Sequence, residues 1–169
     1  APEQAAQMQR QIAAFPPLAL FALLLVQGLI AGATINAAAA FGEELGWRGF
    51  LFRELAPLGF WPANALIGVL WGIWHAPLIW HGYNYPQHPQ LGVVMMTLFA
   101  LAFSPLLGYV RLRSRSVIAA AVMHGTLNAT VGLSFAYLLG GDDLTRGLLG
   151  YPGLLVLVLA NAALLLYDR

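Results

Sequence analysis

Hydrophobic residues in this chain come in long runs rather than in alternation. From Phe15 to Ala40 almost every position is apolar, and the run passes without a turn signal into FGEELGWRGFLFREL, ending before Pro57. Four further runs follow at 61–80, 91–110, 116–139 and 150–167, and the segments HGYNYPQHPQ, RLRSR and GGDDLTRG that separate the last four have the polar, turn-forming character of interfacial loops. Helices of about 20 apolar residues cross a bilayer core of about 30 Å. The pattern therefore predicts an all-α fold: one polytopic transmembrane helix bundle of five or six spans over residues 1–169, with no repeat and no second domain.

The first run needs a break or a kink. A helix over 17–55 would be roughly 58 Å long at 1.5 Å per residue, about twice the bilayer core. The expected place lies between Gly28 and Asn36, where Gly28 and Gly32 also offer a small-residue face for helix packing.

Composition agrees with the bilayer as main solvent. Of 169 residues, 60% are hydrophobic and 9% charged, with eight Arg, no Lys and seven acids for a net charge of +1. The mean hydropathy is +0.73. So few and so balanced charges exclude a nucleic-acid surface. The absence of Cys excludes disulfides and thiolate ligands, so any metal would have to be held by His, Asn or carboxylate. The opening APEQAAQMQRQ lacks a basic n-region and does not read as a signal peptide; a chain starting this way is expected to be processed or truncated.

The Arg distribution sets an orientation. With 111–115 on the cytoplasmic side, simple alternation places 56–60 and the C-terminus there too, and 81–90 and 140–149 outside. The inner side then holds Arg53, Arg111, Arg113, Arg115 and Arg169, and the outer side Arg146 beside Asp142 and Asp143. That is the positive-inside pattern, and the Arg cluster reads as a topology determinant.

Against this background Glu43, Glu44, Arg48, His75 and His124 stand out, because ionisable groups at membrane depth cost about 2.5 to 3.5 kcal/mol each and mark function. Counted at 1.5 Å per residue, Glu43 lies about 22 Å above Leu58, His75 about 21 Å above Trp61 and His124 about 12 Å above Ser116, so tilt could bring the three into one layer. Glu44 and Arg48, at i and i+4, suit an ion pair that leaves Glu43 for chemistry. His124 and Asn128 share a helix face. A carboxylate and a His can activate a water while a second His and an Asn amide bind the oxyanion. Alternatively, Glu43, His75 and His124 could hold zinc.

Three motifs within the apolar runs resemble a known family. EELGWR at 43–48 fits EExxxR, WGIWH at 71–75 is close to FxxxH, and HGTLN at 124–128 fits HxxxN, in the order of the CPBP intramembrane proteases, which include CAAX prenyl endopeptidases and bacteriocin-processing or immunity-type proteins. The resemblance covers residues 15–139, with 150–167 as an extra C-terminal span. It implies an intramembrane endopeptidase in which Glu43 works with His75 on water, His124 and Asn128 bind the oxyanion or contribute metal ligands, and Glu44 and Arg48 support the first motif. The expected cofactor is zinc or none, and the expected partners are the lipid bilayer and a peptide or protein substrate, prenylated in one branch of the family. An inner membrane of a bacterial or archaeal cell is the expected location. Trp71 stands where the family usually has Phe and is expected to line the substrate cavity. The family commonly has further N-terminal spans, so a fragment or minimal version is expected.

The principal alternative is a non-catalytic, immunity-type protein that binds a peptide in the same cavity. A proton relay would need a polar route across the bilayer, which the apolar stretches 17–30 and 129–139 do not suggest. His81 and His88 read as interfacial residues, Trp61, Trp74 and Trp80 as anchors or core, and Asn64 and Asn161 as interhelical hydrogen-bonding groups.

Overall fold

The structure, a computed structural model, describes residues 16–133 and 141–167. All regular elements among them are helical: α1 (Pro17–Glu54), α2 (Phe60–Trp74), α3 (Ala76–Trp80), α4 (Pro89–Ser114), α5 (Val117–Thr130) and α6 (Tyr151–Tyr167). A 3-10 turn, Ala56–Leu58, and Gly59 at φ 85° reverse the chain between α1 and α2. That positive φ is why glycine stands there. Residues 134–139 of the predicted 116–139 span, the N-terminal segment and Arg169 lie outside the described residues.

Of the break or kink expected in the first run, no break is present. Helix α1 is continuous over 38 residues and changes winding instead, with π-helical turns at Gly32–Asn36 and Leu45–Leu51. The first falls within the window that the sequence marked. There the Asn36 amide donates to Ala31 O (3.3 Å) and Thr34 Oγ1 to Ile30 O (2.7 Å), side-chain bonds to carbonyls in the preceding turn. A π turn accommodates one extra residue without severing the helix, and such turns gather at functional sites.

The 61–80 run, expected as one span, is instead divided at His75. Pro77 lacks an N–H and its ring conflicts with the carbonyl four residues back, so α2 ends at Trp74 and α3 begins at Ala76. The 91–110 run is extended at both ends to a 26-residue helix that starts at Pro89. Ser116 caps α5, its hydroxyl accepting from Ala119 N.

Close helix approach follows small residues. Gly28 and Gly32 of α1 pack against Thr130 and Thr126 of α5, and Gly125 of α5 against the backbone of Asn36 and Ala37. Gly68 and Gly72 of α2 meet α4 at Leu101 and Thr97 in the same way. The apolar core is formed chiefly by α2, α4 and α5, around Trp71, Met95, Phe99, Phe103, Leu107 and Ala120. Asn161 tethers α6 to α4 by donating to Ala102 O (2.7 Å), as its interhelical reading anticipated. Asn64 differs: it donates to Phe60 O within its own helix and is fully buried against Gly108.

Polarity is inverted relative to a water-soluble domain. Leu18, Ile30, Ile35, Ile118, Leu159 and Leu166, each at least 60% exposed, face outward, while Glu44, Arg48, Asn64 and Ser104 are fully buried. An apolar exterior of this extent around a charged interior fits a helical bundle solvated by lipid.

Candidate active site

The second π turn, Leu45–Leu51, lies directly after Glu43 and Glu44 and carries Arg48. The Arg48 guanidinium donates to Glu44 Oε1 at 2.9 Å, so the i, i+4 ion pair anticipated from the sequence is present, and both side chains are wholly removed from solvent. The same carboxylate oxygen accepts from His124 Nδ1, also at 2.9 Å. An ionised carboxylate only accepts, so His124 carries its proton on Nδ1 and, when neutral, has a lone pair on Nε2. Arg48 also lies over the Trp71 ring, 4.7 Å from its centroid.

Glu43 is held differently from its neighbour. Its Oε2 accepts a 2.9 Å hydrogen bond from the Trp71 indole N–H. Trp71 is thus more than the cavity wall expected from its aromatic character. Its carbonyl oxygen pairs with His75 Nδ1 at 2.8 Å. A carbonyl only accepts, so His75 too is protonated on Nδ1 and presents Nε2 as acceptor. The division of α2 from α3 at His75 therefore places this imidazole at a helix end rather than within a continuous helix.

Glu43, Trp71, His75, His124 and Asn128 all line one cavity of about 340 Å³, with Asn36 from the first π turn beside them. Tyr83, Asn84 and Leu149 line it from the loops 81–88 and 141–150. Those loops, expected on one side of the membrane, are bonded together: Gln87 N donates to Asp143 Oδ2 (2.7 Å), Asp143 N to Gln87 Oε1 (2.9 Å), Tyr85 OH to Leu149 O (2.8 Å), and His88 Nε2 pairs with Asp142 Oδ2 (2.5 Å). His88, read from sequence as an ordinary interfacial residue, is thus half of a loop-to-loop contact. On its other side Glu43 borders a second, more open and apolar cavity of about 520 Å³ lined by Gly42, Gly46, Trp47, Phe50, Leu51 and Trp74.

Asn36, Tyr83, Asn84 and Leu149 carried no sequence signal, because their approach to the site depends on the π turn and on pairing between distant loops. The Trp71 N–H was legible as a donor in an apolar run, but its acceptor was not. For a metal, the decisive fact is spacing. Among the described residues the trio whose ligand atoms all lie within 4.8 Å of one another is His88, Asp142 and Asp143; Glu43, His75 and His124 are not gathered in that way.

The three motifs thus converge on one cavity from α1, α2 and α5. A family model described as type II CAAX prenyl endopeptidase Rce1-like matches residues 17–130, from the start of α1 to the end of α5. The chain belongs to this family. The CAAX prenyl protease 2 of Methanococcus maripaludis is a relative 31% identical over 137 residues, covering 78% of this chain and 47% of the relative. The chain thus spans about half the length of the curated relative it matches. No solved structure matches. Membership of this membrane-embedded family accords with the inverted polarity of the bundle, and α6 lies beyond the matched segment.

Proposed function

We propose that the chain carries an intramembrane endopeptidase site in which Glu43 and His75 activate a water and Asn128 and His124 bind the oxyanion. The observation that carries this reading is the convergence of these four side chains on one polar cavity within an apolar bundle. Water placed between Glu43 and His75 gives one proton to the Glu43 oxygen that Trp71 leaves unbound and directs its second hydrogen at His75 Nε2. Its oxygen bonds to the peptide carbonyl carbon, and the carbonyl π electrons move onto oxygen. The Asn128 amide donates to that oxyanion. His124, held through Nδ1 by Glu44, donates to it through Nε2 in its doubly protonated form, the second proton being taken from water before the substrate binds. Collapse breaks the C–N bond, and the proton on Glu43 passes to the departing amine.

The family description and the relative's name support a CAAX peptide carrying a prenyl chain as substrate. The 520 Å³ apolar cavity beside Glu43 suits an apolar group entering from the lipid. The Arg-rich turn at 111–115 supports insertion in a bacterial or archaeal inner membrane with that turn in the cytoplasm.

The test uses the full chain in liposomes with a farnesylated CAAX peptide and its unprenylated counterpart, before and after chelation, with zinc content measured by elemental mass spectrometry. Glu43→Gln, His75→Ala and His124→Ala are expected to lower cleavage by about 10² to 10⁴-fold each while remaining folded. Wild-type cleavage by Glu43→Gln overturns the reading. One zinc per chain with chelator-sensitive cleavage replaces it with a metal-dependent mechanism, and retention of the peptide without turnover replaces it with a binding protein.

A further inference from the structure

Trp71, the first residue of the second motif, touches Glu43, His75, His124 and Arg48. Its indole N–H donates to Glu43 Oε2 at 2.9 Å, and its backbone carbonyl accepts from His75 Nδ1 at 2.8 Å. Its ring stands edge-on to His124, with centroids 5.1 Å apart, and lies under the Arg48 guanidinium. Phe103 packs against it at 6.3 Å, and the residue is 3% exposed. A buried, well-packed indole has one way to point its N–H, and that way is at the carboxylate.

We propose that Trp71 is a positioning residue for the reaction: its indole N–H fixes one Glu43 oxygen, so that the other alone is presented to water. The inference rests on the reading of Glu43 as the base. A free carboxylate on a helix exchanges its two oxygens by rotation about its last torsion, a broad two-fold rotor. A hydrogen bond from a rigid donor removes that freedom, and one to a charged acceptor is among the stronger kinds. The site thereby places its acceptor before substrate arrives, which is where alignment contributes to rate. The Trp71 carbonyl holds the His75 ring in the tautomer that presents Nε2. A phenyl ring at this position would preserve the wall and the carbonyl but would supply no donor to Glu43.

Two replacements isolate the N–H: Trp71→Phe, and Trp71 replaced by benzothienylalanine, which keeps the bicyclic shape with sulfur in place of N–H. Both are expected to lower kcat about ten- to a hundredfold with KM for the farnesylated peptide unchanged, given the strength of a hydrogen bond to a charged group. A purely structural wall would leave the benzothienylalanine protein at wild-type kcat, and that result overturns the proposal. An activity-free measurement accompanies it. In the ¹⁵N-labelled protein the Trp71 indole proton, assigned by its loss in Trp71→Phe, is expected downfield and to move upfield in Glu43→Ala; an unmoved resonance overturns the contact. Glu43→Gln separates the two levels. If it cleaves at the wild-type rate, the reading of Glu43 fails; if it is inactive while both Trp71 variants keep wild-type kcat, only the role of Trp71 fails.

Discussion

His124 and Glu44, eighty positions apart in sequence, are joined by a 2.9 Å hydrogen bond from Nδ1 to Oε1 inside the bundle. The bond ties α5 to α1 at the point where Arg48 already pairs with the same oxygen. Glu44 is therefore the junction of a buried charged network, whereas its neighbour Glu43 borders the cavity. The two adjacent glutamates have different work, and substitution should separate them.

Glu44→Ala leaves the Arg48 guanidinium buried without its counterion, a change that costs about 3 to 5 kcal/mol. Thermal unfolding in detergent should show a large loss of stability. Glu43→Gln, which keeps an acceptor for Trp71, should unfold within about 1 kcal/mol of the wild type, since hydrogen-bond replacements of similar shape are near neutral. Equal destabilisation by both would contradict the division of roles.

Helix approach makes a second contrast. A Cβ at Gly125 would strike the backbone of Asn36 and Ala37, but one at Gly42 or Gly46 meets nothing within 4 Å. Gly125→Val should therefore destabilise by about 1 to 3 kcal/mol or more through overpacking. Gly46→Ala should be neutral or stabilise by up to about 1 kcal/mol through helix propensity. Detergent melting curves of the two variants check this.

The turn at His75 predicts a loss of rate without loss of fold. Pro77→Ala restores an N–H and removes the ring that ends α2, so the helix can continue through His75 and shift its imidazole. A misplacement of about 1 Å can cost up to about 10²-fold in rate. Cleavage should fall at least about tenfold, while the melting temperature changes little. Unchanged cleavage would show that the helix end does not depend on the proline.

The loop contact gives a pH dependence. The hydrogen bond to Asp142 raises His88 above its ordinary 6.5, and the bond to His88 lowers Asp142 below its ordinary 3.8. The stabilisation from a raised His is complete below 6.5 and lost as pH rises through the raised value; that from a lowered Asp is complete above 3.8 and lost as pH falls through the lowered value. The difference in melting temperature between wild type and His88→Ala should therefore plateau between 3.8 and 6.5 and shrink on either side. A difference that does not vary with pH would remove the ion pair as its cause.

The sequence by itself determined the helical class, the placing of most spans and which side chains are candidates for chemistry. Those follow from one-dimensional facts: apolar runs long enough for a bilayer, and ionisable groups too costly to bury there without use. The Glu44–Arg48 pair was legible because i and i+4 are neighbours on any helix. Tertiary structure decided what helical periodicity leaves open. The α1 run did not break, since a π turn at Gly32–Asn36 changes the winding while keeping the helix continuous. The 61–80 run did break, because Pro77 acts over the whole preceding turn and places His75 at a helix end. Partners across helices were likewise undetermined: that His124 binds Glu44, and Trp71 binds Glu43, depends on helix rotation and spacing set by glycine contacts between α1 and α5 and between α2 and α4. Spacing within a chain specifies a face, but only packing specifies what that face meets.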